Sequence, residues 1–247
     1  MEIIGRVAAL WRHPVSSMGG EPLETARLGP GGIEGDRIWG VADAEGVAAP
    51  EKIRRWLGLP SMRARLGLAG PEVETAPGKW APAGSAEAAA AVSGLIGAPA
   101  RLLPHCSPDR TEEGRIAPRY VRNDLHLLST ASLRALAALT PGAAAEDVRR
   151  FRPNLVVETR EGIEGFFEQG LAGRRVVIGA AEIEIEAPCM RCAFTGLGQS
   201  LRDAELPFEP KIVHAISAKG GGAFGALCGV RRGGEIRIGD PVTLLPA

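Results

Sequence analysis

Ile183-Glu184-Ile185-Glu186-Ala187-Pro188-Cys189-Met190-Arg191-Cys192-Ala193-Phe194-Thr195 is the stretch around which the chain is read. Its isoleucines alternate with glutamates at the period of two expected of a half-buried strand. Pro188 lacks a ladder donor, so pairing is expected to stop there and to leave both cysteines on the mouth of a sheet. Arg191, between the thiols, favours the thiolate form of a group whose free pKa is about 8.5. A soft thiolate suits zinc, copper(I), an iron-sulfur centre or a sulfur-rich high-valent metal. A bare C-x-x-C also suits dithiol exchange, and two small buried hydrophobes would give the same letters.

Outward from this strand the pattern repeats. Ile3 to Trp11, Glu72 to Glu74, His214 to Ala218, Ala223 to Val230 and Arg237 to Leu245 read as strands, separated by glycine-rich turns such as Lys219-Gly220-Gly221-Gly222. Helices are few. One spans Ala86 to Ile96, with Ser85 as cap and Gly97 as stop, a second Ala131 to Leu139, and a short one includes Ile53 to Leu57. Thr195 to Gln199 reads as a loop. Many short strands with few helices predict a mainly β chain of α+β type in a closed or nearly closed barrel. A soft boundary near His105-Cys106 divides it into a β-rich subdomain at 1–100 and a second unit at 101–247, interlocked with it.

Composition excludes several classes. The 247 residues carry 29 Lys plus Arg against 29 Asp plus Glu, so no net field draws the chain to nucleic acid or to an anionic membrane. Four cysteines in this length make no disulfide framework. With no targeting pattern at the first residues and no long apolar run, a reducing, cytoplasmic setting is expected.

Other clusters carry chemistry. Asp36 beside Arg37 can hold the guanidinium toward an anion. Ser129 or Thr130 caps the second helix, and the free N–H groups of such an end can receive a phosphate. Arg149, Arg150 and Arg152, with Asn154, gather at the entrance of a buried-looking strand and need an anion.

Six of these pieces stand in an order that resembles one family. They are Pro14-Val15 with Ser17-Met18 and Gly20-Glu21, Gly35-Asp36-Arg37, Leu128-Ser129 with Ala131-Ser132-Leu133, Arg150-Phe151-Arg152-Pro153-Asn154, Pro188-Cys189 with Arg191-Cys192, and Gly239-Asp240-Pro241-Val242. The chain is similar to MOSC proteins, named for the C-terminal domain of molybdenum cofactor sulfurase. The resemblance implies a pyruvate-kinase-like β-barrel, a bound molybdenum cofactor (Mo-molybdopterin), and reduction of N-hydroxylated substrates as in the mitochondrial amidoxime-reducing component. It implies Cys192 as catalytic residue and metal ligand, with Cys189 behind it. Ser17, Arg37, Ser129, Arg150, Arg152, Asn154, Arg191 and Thr195 would bind the cofactor.

Two positions depart from the pattern. Ser16 stands where relatives carry lysine, for which Lys52 or Arg12 could substitute, and Gly196 where they carry threonine. The chain shows no iron-sulfur cysteine cluster and no dinucleotide fingerprint, so electrons must come from an external electron-donor protein. A different reading is a noncatalytic carrier of cofactor or sulfur for a desulfurase or cofactor-accepting protein. A third, a small zinc or dithiol protein, would use Cys189, Cys192 and Cys228, with His214 as a further candidate.

Overall fold

A computed structural model describes residues 1–46, 54–107, 110, 112–118, 123–197 and 206–246, so Lys52, Ile53, Gly198 and Gln199 lie outside the described residues. In chain order come β1 (Glu2–Arg12), β2 (Glu21–Leu23), β3 (Thr25–Gly29), β4 (Gly32–Ile33), β5 (Trp39–Asp43), β6 (Ala64–Gly67), β7 (Gly70–Ala76), β8 (Lys79–Pro82), helix α1 (Ala86–Ile96) and β9 (Ala100–Pro104). There follow β10 (Leu125–Ser129), α2 (Thr130–Leu139), β11 (Leu155–Thr159), β12 (Arg175–Ile178), β13 (Ala181–Met190), α3 (Pro210–Gly220), β14 (Ala223–Arg232), β15 (Gly234–Arg237) and β16 (Pro241–Leu244).

Seven strands close a barrel in the order β11, β10, β14, β13, β12, β16, β1 and back to β11. Only the β10 and β11 pair in that ring is parallel. Closure leaves no open edge in the ring, which is how a mainly β chain avoids pairing with its neighbours. The expected barrel is thus present, with β1 from the start of the chain as one of its staves.

Alternation decides which way each strand faces. Ile183 and Ile185 of β13 meet Ile4, Val7, Leu127, Val176 and Val242 in the barrel core. The intervening glutamates point outward, where Glu182 pairs with Arg175, and Glu184 and Glu186 with Arg231. Each fully buried isoleucine contributes about 1.5–3 kcal/mol, and the exposed ion pairs about 0–1 kcal/mol each, so the core holds the barrel.

A second core belongs to the N-terminal half. Trp56, Leu59, Met62, Val73, Val92 and Leu102 pack beneath α1 and between the β5–β9 and β6–β7–β8 sheets. The caps of α1 are those read from the sequence. Ser85 accepts from the Ala88 N–H, and Gly97 closes the helix at φ 68°. A third core, including Leu136, Phe151, Ile212, Ile216 and Phe224, fixes α2 and α3 to the outside of the barrel.

Two expectations need correction. His214 to Ala218 is helical and lies inside α3. Its apolar register, Ile212, Ala215 and Ile216, begins before the window that looked like alternation, and Pro210 opens it while Gly221 ends it. Pairing also does not stop at Pro188. The strand runs on to Met190, with Pro188 opposite Ala226 and Met190 opposite Ala223. Register shifts on either side of the proline free it from the regular ladder, so no donor is missed.

Candidate functional site

Because β13 continues, its cysteines have different fates. Cys189 is 8% exposed within the sheet, while Cys192, beyond the strand's end, is exposed. The chain turns there into a single 3-10 turn, Ala193–Gly196, which Cys192 caps. Thr195 is buried beneath, its hydroxyl donating to the Cys192 carbonyl at 3.1 Å.

Arg191 points inward. Its Nη1 donates to the Cys189 sulfur at 3.2 Å and its Nη2 to the Phe151 carbonyl at 2.9 Å, while its backbone N–H donates to Gly222 at 2.8 Å. Burial opposes ionisation of Cys189, but His126 and Arg191 outweigh it and bring the thiol to about 6. Cys228 goes the opposite way. Burial, with Glu186 and Glu168 adding to it, pushes its thiol upward.

The Phe151 carbonyl joins Cys192's turn to a second cluster. Asn154 is buried, and its side chain accepts from the His126 N–H at 3.1 Å and from Arg37 Nη1 at 3.0 Å, and donates to the Trp11 carbonyl at 3.2 Å. Arg37 also donates through Nη2 to the Arg152 carbonyl at 3.0 Å and pairs with buried Asp36. Asp36 in turn accepts from the His13 N–H at 2.7 Å. Arg37, Arg152 and Asn154 are therefore locked together, with Arg191 and Cys192 adjoining through residue 151.

Backbone strain concentrates in the same place. Ser17, Arg37 and Arg152 sit at φ 67°, 48° and 54°, and Ala144 at 46° is the one other described non-glycine residue with positive φ. Such conformations cost on the order of 1–3 kcal/mol each and persist only where surroundings impose them. Ser17 lies on a loop held against Arg37's segment, since the Arg37 N–H donates to the His13 carbonyl at 2.7 Å and the Ile38 N–H to Pro14 at 3.0 Å. Its hydroxyl makes no hydrogen bond among the described residues.

Not every expected residue joins. Ser129 ends β10 and caps α2, accepting from the Ser132 N–H at 3.1 Å and donating to buried Glu168 at 2.5 Å. Arg150 is 1% exposed and ends a 3-10 turn, Val148–Arg150, that packs beside the turn of Cys192; its side chain is bonded to the Ala144 and Pro207 carbonyls at 3.3 and 3.0 Å. Its Nη1, like the Nε of Arg191, is buried with no hydrogen-bond partner among the described residues. Arg12 is occupied by Glu21 at 2.9 Å, and Ser16 meets His105 Nε2 at 3.1 Å. His13 and His126 join this cluster without belonging to any chemical motif of the sequence. A polar residue inside the apolar run Leu125-His126-Leu127-Leu128 was the available sign for the latter.

A cavity of about 400 Å³ opens on the other side of residues 148–153, between them, the end of β1 and the loops of the N-terminal half. Arg63, Arg149, Arg152, Ser61, Trp11 and His13 are among its lining residues. His13 is 3% exposed, its Nε2 lies 3.3 Å from the Pro153 carbonyl, and burial with Arg152 and Arg37 nearby holds its pKa well below the ordinary value, so the ring is neutral. Among the described residues no group of three or more His, Cys, Asp or Glu could hold a metal, so Cys189, Cys192, Cys228 and His214 do not gather into one. No described helix is long and apolar enough to cross a membrane.

Comparison with known proteins adds two family matches. Residues 114–243 match the MOSC domain and residues 4–60 the MOSC N-terminal beta barrel domain. No curated protein matches. Among solved structures, the YUAD protein from Bacillus subtilis is similar at 14% identity and a TM-score of 0.51, over 97% of this chain and 94% of that one. YiiM from Escherichia coli is 18% identical over 51% of this chain and 55% of that one, at a TM-score of 0.37. At 14% identity the likeness to the YUAD protein concerns the fold alone.

Proposed function

This chain belongs to the MOSC family, and from that premise we propose that it binds the molybdenum cofactor through Cys192 and reduces N-hydroxylated compounds. The observation that carries the reading is the exposed Cys192 thiol near the buried Arg150 and the half-buried Arg191, whose hydrogen bonds go to carbonyls and a sulfur and which keep Nη1 and Nε, respectively, without a partner among the described residues. These residues fit the group. A lone thiolate is the soft donor that a metal already held by a dithiolene lacks, and unspent guanidinium N–H groups suit a phosphate. The nearby cavity lies within the range of small-molecule sites.

When bound, the cofactor supplies two-electron chemistry at the metal. The chain's own residues hold and orient. Thr195 fixes the Cys192 carbonyl, Arg191 ties the turn to residue 151, and Arg37, Arg152 and Asn154 form one rigid block. Ser17 offers an unspent hydroxyl. Ser129 would serve through the α2 terminus and not through its occupied side chain. Electrons come from a separate protein, and a cytoplasmic setting suits a free, exposed thiol.

The same exposure favours one second reading, in which a desulfurase or cofactor-accepting partner reaches Cys192 and the protein only carries cofactor or sulfur. The test is molybdenum and pterin analysis of protein made in a cofactor-producing host, with Cys192→Ala beside it. Molybdenum should be lost in the variant, and equal metal in both defeats the ligand assignment. Consumption of a reduced dye with hydroxylamine or an amidoxime separates reductase from carrier.

A further inference from the structure

The two flanks of α3 meet different surroundings. On one, its start grips the turn that Cys192 caps: the Glu209 N–H donates to the Gly196 carbonyl at 2.7 Å, and a Cβ on Gly196 would lie 3.0 Å from Val213 Cγ2. On the other, α3 and the end of α2 enclose a groove of about 660 Å³. Leu139, Pro141 and Ala215 give it apolar walls, and Lys211, His214 and Lys219 rim it. All three rim residues are exposed, and neither lysine forms an ion pair among the described residues. No carboxylate lines the groove among the described residues, in a chain whose basic and acidic side chains are equal in number.

A local cationic surplus around an apolar floor selects a partner with carboxylates around an apolar centre and repels a basic one. We propose that this groove docks the acidic face of the electron-donor protein, an inference that rests on the reductase reading above. That reaction needs such a donor. Converting R–NHOH to R–NH2 and water consumes two electrons and two protons. A [2Fe–2S] donor supplies the electrons singly and a flavin hydroquinone supplies both, while the protons come from solvent. A donor seated on the groove lies one helix away from the turn that Cys192 caps, and Phe208, 62% exposed just before α3, adds apolar surface at the start of that helix.

The experiment uses the cofactor-loaded protein, a plant-type [2Fe–2S] ferredoxin as the acidic probe and cytochrome c as the basic one. Calorimetry should show ferredoxin binding that weakens as salt rises, and Lys211→Glu with Lys219→Glu should weaken it by about tenfold or more. Cytochrome c should not bind the wild type. Ferredoxin-driven turnover should fall in parallel, while turnover driven by reduced methyl viologen, which needs no docking surface, should hold. Equal ferredoxin affinity in both proteins, or no ferredoxin binding at all, overturns the proposal. So does succinate binding in the groove without ferredoxin binding, which would make it a small-acid site. Absence of any methyl viologen turnover in the wild type strikes at the proposed reaction instead, and the calorimetry still decides the surface.

Discussion

Replacing Asn154 by leucine removes the tie between strand, loop and arginine block without changing volume much. The side chain satisfies three groups: the His126 N–H, the Trp11 carbonyl and Arg37 Nη1. The first two are neutral backbone groups around a residue only 1% exposed, and stranding each costs about 1–3 kcal/mol. Arg37 loses less, because its side chain is 26% exposed and keeps Asp36 and the Arg152 carbonyl. The expected loss is therefore about 3–5 kcal/mol, a large part of the about 5–15 kcal/mol that holds a typical domain. Denaturant unfolding followed by tryptophan fluorescence measures it. A variant within about 1 kcal/mol of the wild type would refute the idea that Asn154 is the block's keystone, since that is less than one stranded group should cost.

His13 stays neutral in the fold, while the unfolded chain takes up a proton near 6.5, so the unfolded state binds more protons on acidification. Stability should therefore fall below pH 6.5 by up to about 1.4 kcal/mol per pH unit, and His13→Gln should flatten that limb of a pH series of melts. The Cys189 thiolate should give an ultraviolet titration near 6 that vanishes in Cys189→Ser and moves upward in Arg191→Ala. Because its folded pKa lies below that of the free thiol, the stability it supplies is fully present above the free value and is lost as pH falls toward about 6. Gly20→Ala should lower the melting temperature markedly, since the new Cβ would sit 2.3 Å from the Arg12 carbonyl oxygen and 2.4 Å from His13 Nδ1. An unchanged melt would show that the loop gives way freely.

Helix limits were legible wherever a cap and a stop bracket one apolar face, as Ser85 and Gly97 do for α1. They were illegible in α3, where alanine and serine fit either period and the deciding residue, Ile212, lay outside the window. Adjacent Asp36 and Arg37 suggest a pair, and they form one. That Arg37 also spans to Asn154 and Arg152, more than a hundred residues on, follows from no local pattern.

By itself the sequence determined the barrel, because period-two alternation in strand after strand has to bury one face and closure buries it without an edge. It also determined the order of the motifs and the presence of two thiols flanking an arginine. Only the tertiary structure decided which thiol faces solvent. A bulge at Pro188 carries the strand two residues further than its donors would suggest, so that Cys189 is sealed against His126 and Arg191 and Cys192 is left at the opening. Register shifts and ionisation depend on partners brought from distant strands, and no local run of residues names those partners.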